Sequence, residues 1–237
     1  MELLRQKTGK VLIEGHRGSE GLGIENSWQA IERGFEAGAD ILELDIQISQ
    51  DGALVLFNDY MFPDGRWIND VYSQEIKKID VQGQKIVFLS DVFDWVKKRN
   101  IYLSLDIKNG FGFGKEIFKR TLLLVEQNHL TDKVMFLSWD HNNLLELKKQ
   151  NPQVTTRALV RAYPVDFISV IQAARADAVN LSRDLATQEI VRSFQEAKIA
   201  VFMGMTFRPE YSLANKWELD GISCQDPETA RIAIESS

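Results

Sequence analysis

The sequence predicts a (β/α)8 TIM barrel, an α/β fold, carrying a short hairpin and loop excursion after its second strand. Three observations predict it. Short β-like runs alternate with amphipathic helix-like runs along the 237 residues, the pattern of βα units around a parallel sheet. The strand-like runs number about eight, the count that closes such a barrel. No Pro/Gly/Ser-rich linker or internal repeat divides the chain, so residues 1–237 read as one domain of a length common among barrels.

The first strand is read at 10–15 (KVLIEG) and the second at 41–48 (ILELDIQI), both apolar runs bounded by glycine or polar turns. The turn at Gln50-Asp51-Gly52 is too short for a right-handed parallel crossover, so 53–58 (ALVLFN) is expected to return antiparallel, as a hairpin. Residues 60–89 follow as a loop-rich excursion. Further strands are read at 101–107 (IYLSLDI), 133–137 (VMFLS begins at 134), 154–160 (VTTRALV), 177–181, 199–203 and 220–224. Between them, runs such as SWQAIERGFEAG, KEIFKRTLLLVEQN and TQEIVRSFQEA place apolar residues near a 3.6 spacing, often after a capping residue.

The net charge of -6 argues against a polyanion-binding surface, and no Lys/Arg block appears, so nucleic acid is not an expected partner. No run of about 18 apolar residues and no signal-like N-terminal core occur, which predicts a cytoplasmic protein without stable membrane insertion. Cys224 is the single cysteine, which rules out an internal disulfide or a thiolate cluster and reads as a core thiol.

In a barrel of this kind the chemistry gathers at the C-terminal ends of the strands. There the first strand ends in GHRG, the second carries Glu43 and Asp45, the third ends in LDIK with Asp106 and Lys108, and the fourth in SWDH. Glu43 and Asp45 share one face because strand side chains alternate. Two carboxylates in an apolar mouth need a counter-charge, and hard oxygen ligands suit Mg²⁺ or Ca²⁺, with Asp106 as a third ligand. The alternative is that they form ordinary salt bridges. His16 and Arg17 between two glycines fit work on a phosphate ester, since histidine carries protons near neutral pH and the guanidinium matches phosphate oxygens. A lone His-Arg pair at a strand end is more often structural, and Lys108 alone would be a solvated lysine. Asn26, with Gln29 three residues on, reads as the start of a capping box, and Glu25 suits a helix N-terminus.

HRG, then EN, then GADILELDIQISQDGALVLFND resembles the glycerophosphodiester phosphodiesterase family, and the likeness continues through LDIK, LSW and DGISCQDP. The resemblance implies a barrel that hydrolyses glycerophosphodiesters to glycerol 3-phosphate and an alcohol, using a divalent cation (Mg²⁺ or Ca²⁺, or Mn²⁺). It further implies that Glu43, Asp45 and Asp106 are metal ligands, His16 a catalytic histidine, and Arg17 and Lys108 phosphate-contacting cations. Asp106 stands where the family usually has glutamate, as in related phospholipase-type barrels. Four departures stand out. Asn58 replaces the second catalytic histidine, the segment after the hairpin reads YMFPDGRW, the seventh-strand motif is FMGMT, and Gln225-Asp226 stands in place of Thr-Asp before the final proline. Asparagine holds a hydrogen bond but exchanges no proton. The expected outcome is a phosphodiesterase of altered substrate preference or low activity, the alternative a non-catalytic phosphate-ester binder. His141 or Asp140 is considered as a replacement acid, while His129 is expected on the surface at the opposite end. Trp139 is a candidate substrate contact, and with Trp67, Phe202, Met203 and Phe207 it can line an apolar or cationic head-group pocket unless these are core.

Overall fold

The computed structural model describes residues 1–108 and 114–237. In chain order the elements are α1 (Arg5–Thr8), β1 (Leu12–Gly15), α2 (Trp28–Glu36), β2 (Ile41–Ile48), β3 (Leu54–Leu56), α3 (Ser73–Ile76), β4 (Asp80–Val81), β5 (Gln84–Lys85), α4 (Leu89–Val96), β6 (Tyr102–Ile107), α5 (Gly114–Gln127) and β7 (Val134–Ser138). They continue through α6 (His141–Gln150), β8 (Thr155–Val160), α7 (Phe167–Ala173), β9 (Ala178–Ser182), α8 (Gln188–Glu196), β10 (Ala200–Gly204), α9 (Leu213–Lys216), β11 (Gly221–Cys224) and α10 (Pro227–Glu235).

Eight strands run parallel in the cyclic order β1-β11-β10-β9-β8-β7-β6-β2, and the pairing of β1 with β2 closes the ring. The expected barrel is therefore present, and each of its strands begins within two residues of the position read from the sequence. β3 pairs antiparallel with β2, Ile46 opposite Leu56, because the Asp51-Gly52 turn leaves no chain for a crossover. The excursion is more structured than its loop-like sequence implies. Val55, Phe62, Ile68, Val71, Ile76 and Ile86 form a small apolar core of their own. Asp51 pins it to the hairpin turn, accepting from the Ser73 N–H (2.9 Å) and hydroxyl (2.6 Å).

Alternation along each strand sends one set of side chains outward against the helices and the other into the barrel. Ile13, Leu42, Leu44 and Val179 pack outward with Ile31, Val92 and Phe194 of the helices. Leu12, Ile41, Met135, Ala178, Ala200 and Phe202 fill the lower interior, closed below by Leu3. Above this floor the interior turns polar, which sets the site at the C-terminal ends of the strands. Asp140, Asp166, Thr187 and Asp226 cap α6, α7, α8 and α10. Among the described residues no helix is long and apolar enough to cross a membrane.

Candidate active site

Glu43 and Asp45 project from β2 into a cavity of about 250 Å³ at the barrel mouth. The strand register sets Asp45 opposite Asp106 of β6, so the two carboxylates stand at one level. One oxygen from each of Glu43, Asp45 and Asp106 lies within 4.8 Å of the other two, and all three residues are buried. His16, Arg17, Asn58, Lys108 and Trp139 line the same cavity, so the sequence places these five beside the three carboxylates.

Electrostatics decide what this carboxylate cluster can tolerate. Burial, reinforced by the Asp45 charge, pushes the Glu43 carboxyl up to about 8. Asp106 is likewise raised, by burial and by Asp45, against the pull of Lys108. Burial also works against Asp45, but Lys108 and Arg17 override it and hold its pKa below the usual aspartate value. Lys108 Nζ lies 2.6 Å from Asp45 Oδ1 and 2.6 Å from Asp106 Oδ2, and those charges keep it well above its ordinary pKa despite its burial. Lys108 is shared by Asp45 and Asp106, and Arg17 by Asp45 and Glu25, so two cationic side chains serve these carboxylates together with Glu43. Asp106 Oδ1 remains buried without a hydrogen-bond partner among the described residues. A hard divalent cation fits this set, in donor type, number and unmet charge.

The loop after β1 is bent around this cluster. Arg17 adopts left-handed backbone angles (φ 51°), which turns its N–H to donate to Glu43 Oε2 at 2.8 Å. Its guanidinium pairs with Glu25, and its Nε lies 3.3 Å from Asp45 Oδ2. Helix α2 lies so close that a Cβ on Gly34 would sit 2.1 Å from the Gly18 carbonyl oxygen. Asn26 corrects the expected capping box. Ser27 is the N-cap, accepting from the Ala30 N–H at 3.2 Å. Asn26 instead sits at φ 56° and clamps Asp45, its Nδ2 donating to Oδ2 at 2.7 Å and its Oδ1 accepting the Asp45 N–H at 3.0 Å. Asparagine at a helix start suits either role, and the positive φ that selects the second is invisible in sequence spacing.

His16 Nδ1 lies 2.8 Å from Glu20 Oε1, and Gln225 Nε2 donates to the same oxygen at 3.3 Å. Burial alone would depress the imidazole pKa, but the Glu20 hydrogen bond and the charges of Glu43 and Glu20 raise it to about 9. The sequence reading did not place Glu20 or Gln225 beside His16. Asn58, half-buried at the end of the hairpin, donates its side-chain amide to Asp59 Oδ1 at 3.0 Å. Neither residue considered as a replacement acid lines the cavity. His141 Nε2 is tied to the Leu159 carbonyl at 2.9 Å, and Asp140 caps α6. His129 is exposed on the loop after α5.

Two further polar residues were missed. Glu14 of β1 and Arg157 of β8 meet across the barrel at the floor of the cavity, which both line, Arg157 Nη2 lying 2.7 Å from both Glu14 oxygens, with each side chain 1% exposed. The Arg157 guanidinium rests 4.3 Å above the Phe202 ring. Phe202 and Met203 are therefore core, and Trp67 lines a separate cleft with Phe57, Tyr60 and Met61. Of the aromatic and thioether candidates only Trp139 and Phe207 reach the mouth, which corrects the broader head-group pocket.

Comparison with known proteins agrees with this fold. The model of the glycerophosphoryl diester phosphodiesterase family matches residues 16–229. A glycerophosphodiester phosphodiesterase of Caldanaerobacter subterraneus subsp. tengcongensis is 26% identical, the match covering 93% of this chain and 96% of that protein. The fold is shared with a Thermotoga maritima glycerophosphodiester phosphodiesterase (TM-score 0.79, 24% identity, 94% of this chain and 98% of that one). It is also shared with an Oleispira antarctica phosphodiesterase solved with its product sn-glycerol-3-phosphate (TM-score 0.87, 21% identity, 97% and 98%). With a barrel of the expected topology and a family match spanning nearly its whole length, the chain belongs to the glycerophosphoryl diester phosphodiesterase family and is a phosphoric diester hydrolase.

Proposed function

We propose that this chain hydrolyses a glycerophosphodiester to glycerol 3-phosphate and an alcohol, with a divalent cation, Mg²⁺ or Ca²⁺ before Mn²⁺, held by Glu43, Asp45 and Asp106. The observation that carries the reading is the buried triad of carboxylates whose oxygens approach within 4.8 Å beside His16 and Arg17. When bound, the cation supplies charge neutralisation and Lewis acidity at a phosphoryl oxygen.

The chain's own residues do the rest. Arg17 and Lys108 offer further N–H groups to the phosphoryl oxygens, Arg17 from its forked guanidinium and Lys108 as a point charge. His16, with Nδ1 committed to Glu20, has Nε2 for proton transfer. Its raised pKa keeps it protonated at neutral pH, which suits donation to the departing alcohol oxygen. Trp139 contributes an apolar wall for the substrate. Asn58 offers an amide donor where the family keeps a second proton carrier. A missing acid or base typically removes ~10²–10⁴ in rate, so poor leaving groups suffer and acidic phenols do not.

Hydrolysis of glycerophosphocholine, glycerophosphoethanolamine and a nitrophenyl phosphodiester is to be measured with Mg²⁺, Ca²⁺ and Mn²⁺. Metal-dependent turnover, fastest on the nitrophenyl ester, is expected. Binding without turnover of any member marks a non-catalytic phosphate-ester binder and sinks the proposal. Asn58→His is expected to raise turnover of the alkyl esters far more than that of the nitrophenyl ester, and equal effects reject the role given to Asn58.

A further inference from the structure

The cavity has two unlike walls. In the eight-strand ring, β8, β9 and β10 stand opposite β1, β2 and β6. The second group carries His16 and the carboxylate triad. Facing it, the cavity is lined by Arg161 directly after β8, Arg183 directly after β9, and Arg208 in the loop after β10. Asp184 is the one carboxylate lining this wall among the described residues. Glu210 stands outside the cavity and is shared between two guanidiniums, 2.9 Å from Arg183 Nη2 and 2.9 Å from Arg208 Nε. It leaves Arg183 Nε buried and without a hydrogen-bond partner. Arg161 has no ion-pair partner among the described residues, and its guanidinium lies 4.5 Å over the Trp139 ring.

Of the described residues, six arginine and lysine side chains and five carboxylates line the cavity. The two signs are segregated rather than mixed: three of these guanidiniums stand on the β8–β10 side of the mouth, where Asp184 and the shared Glu210 are their carboxylate neighbours among the described residues. A choline or ethanolamine cation is poorly served by this wall. The aromatic face it would seek on Trp139 is already covered by Arg161, and three guanidiniums repel it.

We propose that the alcohol portion of the substrate carries a second anionic group, a phosphate or a carboxylate, recognised by Arg161, Arg183 and Arg208 across the cavity from Glu43, Asp45 and Asp106. The planar guanidinium fork matches both oxyanions, and a charge-assisted hydrogen bond is worth about tenfold or more in affinity. The inference rests on the phosphodiesterase reading above and names the substrate class for the same site.

The test compares diesters that share one glycerol phosphate half. These are glycerophosphoglycerol, its analogue ending in a second phosphate, its analogue ending in a carboxylate, and glycerophosphocholine. The expected kcat/KM is about tenfold higher for the phosphate-ended diester than for glycerophosphoglycerol, and lowest for the choline ester. The carboxylate arm identifies which oxyanion is preferred. Arg161→Gln, an exposed position that leaves folding intact, and Arg183→Gln, with Arg183→Lys as the charge-retaining control, are expected to lower the anionic-to-neutral ratio at least threefold. Equal kcat/KM for neutral and anionic diesters, preference for choline, or a ratio unmoved by the arginine variants overturns the proposal while leaving the phosphodiesterase activity standing. If no diester is hydrolysed, that activity falls instead, and calorimetric titration with the same intact diesters decides the charge preference: equal affinity for the neutral and phosphate-ended members overturns it.

Discussion

Replacing Asn26 tests whether the carboxylate cluster is held in place from the first loop. Asn26→Ala deletes two buried hydrogen bonds to Asp45, one to the charged Oδ2 at 2.7 Å and one from its backbone N–H at 3.0 Å. Losing a bond to a charged group costs ~1.5–3 kcal/mol, and leaving a buried N–H unsatisfied costs ~1–3 kcal/mol. The alanine must also hold φ 56°, a left-handed conformation costing a residue with a Cβ ~1 kcal/mol. Arg17 and Lys108 still face Asp45 and recover part of the loss. The expected destabilisation is therefore about 4 kcal/mol for Asn26→Ala and about 3 for Asn26→Gly, which adopts the backbone freely but lacks the amide. Urea unfolding followed by tryptophan fluorescence reads both. Calorimetric titration with Mg²⁺ or Ca²⁺ should show affinity reduced by ~10–100-fold, because Asp45 loses the group that orients it. An Asn26→Ala protein within ~0.5 kcal/mol of the parent and with parental cation affinity would refute the clamp.

Three further outcomes are expected. NMR titration of the cation-free protein should place His16 near 9. Because this folded value is raised above the ordinary 6.5, its stabilisation is complete below 6.5 and is lost as pH rises through about 9. His16→Gln should remove that alkaline loss, and an unchanged unfolding profile between pH 7 and 10 counts against it. Gly34→Ala, ordinarily favourable in a helix by ~1 kcal/mol, should destabilise here because its Cβ would meet the Gly18 carbonyl oxygen at 2.1 Å, and a rise in Tm contradicts the close packing. Arg157→Met, which strands Glu14 in the barrel, should cost ~3–5 kcal/mol, whereas the double change Glu14→Gln with Arg157→Met recovers much of it; additive losses in urea unfolding speak against the cross-barrel pair.

The barrel was legible because its strands differ so clearly in period and length from the helices between them, and because β2 is buried along its whole length yet carries two acids. Period two alone places Glu43 and Asp45 on one face, so that part of the site could be read locally. Partners distant in the chain could not. Glu14 and Arg157 are 143 residues apart, and each stands alone as a charge inside a strand-like run, a sign of an unusual interior but not of a mate. Glu20 and Gln225 are 205 residues apart and meet only through ring closure. Asn26 was misread for a different reason, because its role depends on a backbone angle.

That ring closure has a consequence for biosynthesis. β1 leaves the ribosome before the other seven strands of the barrel, yet one of its two neighbours is β11, with Leu12 opposite Gly221. A nascent chain can assemble β2 beside β6 and bring the three carboxylates together long before β11 exists. Gln225, the brace on Glu20 and hence on His16, arrives only after the final strand has paired. The imidazole that follows the first barrel strand is thus braced from beyond the last one, whereas the acidic cluster is built from β2 and β6 alone.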